Sequence, residues 1–401
     1  MLSKNDLIQK RKRAQDFVLG LNTGKHGEYK YSNVGQPILY SSCYALMSLH
    51  YLGSEIGDRS EWASYILAHQ QPESGAFVSP ELFSGTGGSH DQEHLTLHLA
   101  TTVLPCLDIL GVRPKFPLQF AHRFLAPEAL ARWLDARDMR DAWLEGNNLL
   151  FVLQLLIYLR DDEAAAGAAQ RLAELFDWLD RTADRNTGLW GTDGLCSKFI
   201  AMCGGYHQLL AYYSENRPLV SPNRLVDVTL DLQHPDGGFH PEGGGGACED
   251  VDAVDILVNL YKRHDYRRPE IRNALRRAAL LIINQQVDDG GFVYRRNEPF
   301  SHMGMQSTLT PANQGTVFGT WFRLHTLALI GEVLSDTSLG QVDWGFNPRM
   351  SMGWHVPSRV TCPSHLGWLG EELREAGKKK FIASMLPHTA LRWLLKARQT
   401  H

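Results

Sequence analysis

Apolar residues along this chain return in helical patterns, separated by short loops that are rich in glycine. Strongly apolar segments predict helices at residues 91–110, 196–213, 249–262 and 313–331, and two weaker units fit at 33–52 and 145–159. Strand patterns are sparse, and no alternation of strands with helices is present. An apolar helix that returns about every 45 residues indicates an array of helical repeats.

A turn motif recurs before these helices. Asp236-Gly-Gly-Phe239 has a counterpart in Asp289-Gly-Gly-Phe292, and looser copies stand at Ser74–Phe77 and Thr187–Trp190. Glutamine often marks the end of the preceding helix, as at Gln70, Gln233 and Gln286. The sequence therefore predicts an all-α fold, an (α/α)6 toroid in which six outer helices surround six inner ones. We assign residues 1–335 to the toroid and 336–401 to a C-terminal extension whose terminal helix packs on it.

The helix predicted at 249–262 carries an acidic stripe. With Val251 at 0° and about 100° per residue, Asp255, Asn259 and Asp252 fall at about 40°, 80° and 100°. Apolar residues occupy the face between about 240° and 340°. Acids in the first turn complement the helix dipole, which accounts for Glu249 and Asp250. The dipole does not account for a polar stripe that continues down one face, so this stripe is a candidate site.

Other predicted inner helices carry polar stripes as well. The stripes are Asp91, His94 and His98 on the second inner helix, Asn147, Gln154 and Tyr158 beside Phe151 on the third, and Asn313, Thr316, Thr320 and Arg323 on the sixth. Outer helices wrap the inner ones, so we expect these stripes to face the central cavity. Phe318, Trp321 and Tyr206 could add aromatic walls. Because buried polar groups without partners cost about 1–3 kcal/mol each, such a cavity favours a ligand site.

Some of these residues also have a purely structural interpretation. Arg323 could form a buried ion pair with Asp252 or Asp255. His94 and His98 could chelate a metal from one helix face, but no third ligand is evident, so we predict no metal. Cys248 lies beside four acids, which should raise the pKa of its thiol and disfavour a thiolate nucleophile.

Composition restricts the function classes further. The 401 residues carry a formal net charge of −4, which provides no electrostatic footprint for nucleic acid. Six cysteines are scattered without a Cys-x-x-Cys pair, so neither a disulfide framework nor a zinc ribbon is indicated. No secretory h-region and no uninterrupted apolar run of membrane-spanning length is present. We expect a cytoplasmic protein without membrane insertion, whose partner is a small molecule; its oligomeric state stays open.

The repeats resemble those of the terpenoid cyclase and protein prenyltransferase superfamily over roughly residues 24–331. The resemblance implies an α/α toroid. In class II terpene cyclases an Asp-x-Asp-Asp motif opens an inner helix, and its middle Asp protonates an alkene or an epoxide. Asp250-Val-Asp252 matches the first three positions, so the resemblance implies that Asp252 is the acid. Ala253 replaces the last Asp, and the chain has the length of one helical domain, whereas those cyclases usually place the site between two.

Two other branches of the resemblance fit less well. Protein prenyltransferase β subunits bind zinc through an Asp, a Cys two residues later and a distant His. Val254 stands two residues after Asp252, and His325 lies off the polar stripe of the last inner helix. The Cys-His-Gly and Trp-Cys-Tyr-Gly motifs of lanthipeptide-cyclase-like toroids are absent from the sequence.

These observations predict a small-molecule enzyme that performs acid/base cyclisation, isomerisation or elimination without a cofactor. Asp252 is the predicted general acid, with Asp255 beside it; His94 is the base or proton shuttle, and Arg323 fixes an Asp or binds an anionic group. The predicted substrate-binding residues are Asp250, His98, Asn147, Asn313 and Trp321. Two alternatives stay open: a carbohydrate-active lyase or epimerase, and a toroid that binds a ligand without catalysis. A mostly aromatic cavity would favour a terpenoid, and a mostly polar one a sugar.

Overall fold

The computed structural model describes residues 3–83 and 90–356, and the regular secondary structure of this part of the chain is helical. Its α-helices are α1 (Lys4–Gly20), α2 (Leu39–Tyr51), α3 (Arg59–Leu67), α4 (Pro80–Phe83), α5 (Gln92–Leu110), α6 (Pro127–Asp135), α7 (Ala142–Asp161), α8 (Ala168–Thr182), α9 (Lys198–Ser214), α10 (Pro222–Asp231), α11 (Ala247–Arg263), α12 (Arg268–Ile283) and α13 (Val317–Val333). Extended pairing within the described residues is limited to isolated β-bridges.

Six of these helices form a closed ring in the described part of the chain. In the order α2, α5, α7, α9, α11 and α13, each packs against the next, and α13 packs back against α2. The helices that precede them, α1, α3, α6, α8, α10 and α12, pack on the outside. The inner helices are buried on nearly all sides, which explains their continuous apolar sequences. The predicted α/α toroid is confirmed.

The recurring aspartate motif shapes the turn that leads into two inner helices. Asp236 Oδ1 accepts a hydrogen bond from the Gly238 amide, and its Oδ2 accepts one from Gly244, 2.6 Å away. Asp289 repeats this arrangement with two later glycines. Gly237 lies at φ 104°, and a Cβ there would come within 2.5 Å of a carbonyl oxygen on α12. Only glycine fits this turn without strain.

Glutamines before these turns connect neighbouring repeats. The side-chain amide of Gln233 donates to the carbonyl of Gly237 in its own turn and to that of Ala274 in α12. Gln286 donates to Gly290 and to Lys10 of α1, which joins the last repeat to the first. The glutamine pattern in the sequence therefore reflects hydrogen bonds that tie adjacent outer helices together.

One end of the ring is covered by residues 343–356, which we call the closing segment. Arg349 binds Asp108 at the end of α5 and Asp162 just beyond α7, with Arg349 Nη1 2.6 Å from Asp162 Oδ2. Lys262, near the end of α11, donates to the carbonyl of Val356. The segment therefore lies across the C-terminal ends of the inner helices. Residues 357–401, and with them the predicted terminal helix, lie outside the described residues.

The opposite end is covered by residues 297–313, which we call the lid loop. Phe300 and Thr310 exchange two backbone hydrogen bonds of 2.9 and 2.8 Å across the loop. At its base, the Asn297 amide donates to Asn313 Oδ1, and Asn313 Nδ2 donates to Asn297 Oδ1. Both asparagines have a left-handed backbone, with φ of 63° and 61°. The lid loop inserts His302 among the inner helices.

Among the described residues, one helical stretch, Met139–Asp161, is long and apolar enough to cross a membrane by length and composition alone. It comprises α7 and the turn before it. Because 83% of its most apolar window is buried inside the fold, its apolar character follows from its place in the inner ring.

Candidate functional site

The acidic stripe begins where a glycine loop meets α11. A Cβ on Gly245 would collide with the Asp250 carboxylate, and a Cβ on Gly246 would collide with that of Glu249. The two glycines therefore leave the space that these carboxylates occupy. This explains why a run of glycines precedes a run of acids. All four acidic side chains of α11 are buried.

Asp250 and Arg323 form a buried ion pair between α11 and α13. Arg323 Nη1 donates to Asp250 Oδ2, and its Nη2 donates to the carbonyls of Gly245 and Tyr294 at 2.8 and 2.7 Å. Asp250 also accepts from the Phe239 amide. Neither side chain is exposed. The ion pair expected from the sequence exists, but its partner is Asp250, where Asp252 or Asp255 was predicted.

Asp252 and Asp255 have no such partner. Each is fully buried, and Oδ2 of each makes no hydrogen bond. Burial raises the pKa of Asp252 well above its usual range, and the nearby Glu249 carboxylate raises it further. Burial also raises the pKa of Asp255 to about 8, although its Oδ1 accepts from Asn259 Nδ2 at 3.0 Å. The raised pKa of Asp252 favours its neutral carboxylic acid, the form in which it can donate a proton.

Thiols and a phenol surround the acid. Cys203 of α9 lies within hydrogen-bonding reach of Asp252, and burial raises the pKa of this thiol well above its usual range. Burial also raises the pKa of the Cys248 thiol, and Asp252 and Glu249 raise it further, which agrees with the sequence prediction. Tyr294 donates to Glu249 Oε2 at 2.7 Å. The donors around the acid are thus neutral at physiological pH.

A row of imidazoles runs from α5 to the lid loop, and we call it the imidazole row. His90, His94, His98 and His302 follow one another with ring centroids 4.5, 6.0 and 5.8 Å apart. Burial lowers the pKa of His94 to about 4 and that of His302 to about 3. His94 Nδ1 donates to Asn148 Oδ1 at 2.8 Å, which leaves Nε2 as its basic nitrogen. These imidazoles are therefore neutral near pH 7.

Aromatic rings connect the imidazole row to α13. Tyr44 stacks on Trp321 with centroids 5.1 Å apart, and its hydroxyl lies 3.2 Å from His302 Nε2. Phe318 packs against Tyr44 and His302, and Phe300 of the lid loop stacks on Tyr294. The interior between α2, α5 and α13 therefore contains mainly aromatic and imidazole rings that pack on one another.

Of the predicted substrate-binding residues, Asn313 lies outside the interior, and Asn147 is half-buried on α7. Asn147 Nδ2 donates to the carbonyl of Trp143 in its own helix. Asn313 is an exposed residue at the base of the lid loop, and the predicted helix start at 313 is wrong because Thr316 caps a helix that begins at Val317. Of the other three, Asp250 is engaged by Arg323, whereas His98 and Trp321 belong to the ring-lined interior.

Within residues 3–83 and 90–356, no three His, Cys, Asp or Glu side chains are grouped so that they could bind a metal ion. His94 and His98 stack in parallel planes, and a Tyr40 hydroxyl engages His98 Nδ1. The pair of i, i+4 histidines is therefore part of an aromatic stack.

The sequence patterns did not single out several residues that the fold brings to the interior. Tyr40 and Tyr44 lie on α2, one of the two helices that the apolar pattern predicted only weakly. His302 lies on an irregular loop. One signal was available: Tyr40, Tyr44 and Tyr51 recur at helical spacing on α2.

No family model and no curated protein matches this chain. Solved helical toroids do match. A variant of the type II terpene cyclase MstE from Scytonema, solved with geranylgeranyl dihydroxybenzoate, is 14% identical over 82% of this chain and 99% of that one, with a TM-score of 0.51. A polysaccharide lyase is 13% identical (83% and 98%, TM-score 0.47), and an unsaturated glucuronyl hydrolase mutant from Streptococcus agalactiae is 11% identical (82% and 91%, TM-score 0.48). The suspected resemblance is thereby confirmed for the fold alone.

Proposed function

We propose that this toroid is an enzyme that cyclises or isomerises a small polyene, a linear prenyl-type chain, by acid-initiated chemistry in its interior. One observation carries the proposal: Asp252 is fully buried and its Oδ2 has no hydrogen-bond partner, and this burial favours the protonated, neutral form of the carboxyl group. A proton held on an otherwise unengaged oxygen is available to an alkene.

The surroundings suit the charge that protonation creates. Transfer of a proton to an alkene produces a carbocation, and aromatic faces stabilise cations by about 0.5–2 kcal/mol per ring. The interior includes the stacked pair Tyr44 and Trp321 and the ring of Phe318 beside it. The thiols and the phenol near Asp252 are kept neutral, so no strong nucleophile competes for the cation.

His94 retains a place in this proposal as a proton shuttle. It lies on α5, across the ring from α11, and its neutral imidazole keeps a basic Nε2. Arg323 has no direct role, because it is engaged by Asp250 and two backbone carbonyls. It positions the first turn of α11, and Asp252 projects from the next turn.

The carbohydrate alternative finds less support. A polyhydroxylated ligand needs amides and charged groups; Asn313 is exposed, and the side-chain amide of Asn147 donates to a carbonyl of its own helix. The one buried guanidinium of α13 is paired. The aromatic and imidazole rings of the interior suit a hydrocarbon ligand better than a polyhydroxylated one.

The test is turnover of linear prenyl alcohols and acids, farnesyl and geranylgeranyl, in deuterated water, with products analysed by mass spectrometry. We expect cyclised or isomerised products that carry deuterium from the acid. Asp252→Asn should lower the rate by about 10²-fold or more. The control is Asp265→Asn, at a side chain that is 96% exposed.

Two results would overturn the proposal. Turnover of uronate-containing oligosaccharides, with none of the prenyl compounds, would assign the toroid to the carbohydrate class. Prenyl turnover that is equal in the wild type and in Asp252→Asn would remove Asp252 from the chemistry.

A further inference from the structure

Five side chains at the end of the ring that the closing segment covers share an unusual property, and we call them the floor cluster. Each presents a buried polar atom that makes no hydrogen bond within the described structure: Asp255 Oδ2, Trp321 Nε1, His325 Nε2, Asn347 Oδ1 and His355 Nδ1. Buried polar atoms in folded proteins are normally satisfied. A concentration of unsatisfied atoms in one place indicates a site for a polar ligand.

The geometry around Gly353 of the closing segment brings these residues together. A Cβ on Gly353 would lie 2.6 Å from Asn347 Nδ2 and 2.9 Å from the Trp321 ring. The Gly353 carbonyl accepts a hydrogen bond from Tyr51, whose hydroxyl is 2.8 Å from His325 Nδ1.

The two histidines and the aspartate of the floor cluster lie beside Gly353. The rings of His325 and His355 both pack against Phe346, with centroids 6.2 and 5.1 Å away. Asp255 acts electrostatically on Tyr51 and on Tyr206 of α9, and Asp252 acts on Tyr206 as well. The floor cluster therefore adjoins the proposed acid.

Hydrogen bonding fixes the tautomer of His325. The single proton of the Tyr51 hydroxyl is donated to the Gly353 carbonyl, so Tyr51 Oη must accept from His325 Nδ1–H. Nε2 of His325 then carries no proton and presents a bare lone pair in the interior. Burial lowers the pKa of His325 to about 3, which agrees with a neutral ring.

Hydrogen bonding also fixes the tautomer of His355, with Nε2 as the acceptor and the proton on Nδ1. Lys262 Nζ has three protons and three acceptors: Glu332 Oε2 at 3.1 Å, the Val356 carbonyl at 2.7 Å and His355 Nε2 at 3.0 Å. His355 Nε2 is therefore the acceptor, and its unpartnered Nδ1 carries the proton. The floor cluster thus presents a bare acceptor on His325 and free donors on His355 and Trp321.

A group that both donates and accepts satisfies this set, and a hydroxyl is the smallest group that does so. We propose that the floor cluster is a hydroxyl-binding site for water, and that His325 is the general base that activates this water to end the reaction. This inference rests on the proposed function for its catalytic part. The inference adds a product class to the proposed function, because capture of a cation by water yields an alcohol.

The steps balance. Asp252 donates its proton to an alkene carbon, and the cation forms at the neighbouring carbon or at the end of the cyclised chain. The water oxygen forms the new C–O bond with its lone pair, and the proton that it loses goes to His325 Nε2. The imidazolium returns this proton through the interior to the Asp252 carboxylate, so the net reaction is addition of water.

The hydroxyl site can be tested without any substrate. Nitrogen-15 NMR of the full chain, labelled at histidine, reports which ring nitrogen carries the proton. We expect His325 Nε2 to be unprotonated and hydrogen-bonded to a water that a crystal structure locates, and His355 Nδ1 to be protonated. A proton on His325 Nε2, or a dry floor with neither nitrogen hydrogen-bonded, would overturn the site.

The base is tested with the prenyl alcohols used above, in water labelled with oxygen-18. We expect the wild type to form a cyclic alcohol that contains one labelled oxygen. His325→Asn keeps a donor for Tyr51 and lacks the basic nitrogen. The yield of labelled alcohol from this variant should fall at least tenfold, with alkenes formed in its place. Deuterium transfer from Asp252 should persist. His264→Asn, at the end of α11 and partly exposed, is the matched control.

The outcomes separate the two proposals. Turnover that depends on Asp252 but yields unlabelled alkenes, or labelled alcohol unchanged in His325→Asn, would overturn the base and leave the proposed function standing. If no prenyl compound reacts, the catalytic part falls with the proposed function, and the NMR measurement decides the hydroxyl site.

Discussion

Two aspartates two positions apart on α11 should respond in opposite ways to the same substitution. Asp250→Asn removes the charge that pairs with Arg323, whose guanidinium is fully buried. Removal of one partner of a buried ion pair typically costs about 3–5 kcal/mol, because the other charge stays behind uncompensated. That is a large fraction of the roughly 5–15 kcal/mol that separates folded from unfolded domains.

Asp252→Asn replaces a carboxyl group that has no ion-pair partner and whose raised pKa favours the neutral form. We expect this variant to change the free energy of unfolding by less than about 1 kcal/mol, because shape is kept and like-charge repulsion is relieved. Calorimetry and urea denaturation of both variants at pH 7 provide the comparison. The double variant Asp250→Asn, Arg323→Met is the control, since it removes both charges and should recover much of the loss. Equal effects of the two single substitutions would refute the assignment of an ion-pair partner and a free acid.

Two further predictions concern pH and the lid loop. The pKa of Asp255 is raised above its unfolded value, so the folded state retains a proton that the unfolded state releases, and this group lowers stability as pH rises from about 4 to 8. Asp255→Asn should remove a decrease of up to about 1.4 kcal/mol per pH unit across that window, and identical pH profiles for variant and wild type would refute this. Asn313→Gly keeps the left-handed backbone but removes two hydrogen bonds at the base of the lid loop, so amide hydrogen exchange at Phe300 and Thr310 should accelerate about 5- to 30-fold. Asn216→Gly, at a left-handed position in an exposed turn, is the control, and equal exchange in both variants would contradict the prediction.

The architecture was predictable because its causes are local. An inner helix must be apolar on nearly every face, and the Asp-Gly-Gly-Phe turn needs left-handed glycines and an aspartate with two amide partners. These requirements repeat from unit to unit and leave a periodic pattern in the sequence. The buried acids on α11 were also predictable, because a helix that its neighbours enclose carries its carboxylate stripe into the interior.

The parts that were not predictable depend on contacts between distant segments. The partner of Arg323 is set by the rotation of α13 against α11, and both Asp250 and Asp252 lie within one turn of the same helix. Asn313 follows a helical spacing by chance, and the cap at Thr316 excludes it from the helix. His302 and His355 reach the interior on irregular segments that have no periodicity. Residues supplied by such loops leave no helical signal in a single sequence.

The protonation state of Asp252 decides whether it can act as the acid, and carbon-13 NMR of the labelled carboxyl group measures it directly. The Asp252 signal is identified by its absence from Asp252→Asn. We predict that this carboxyl group stays protonated at pH 7 in the folded protein. A signal that titrates near the ordinary aspartate value of about 3.9 would show an ionised carboxylate at neutral pH and would contradict the role of Asp252 as the acid.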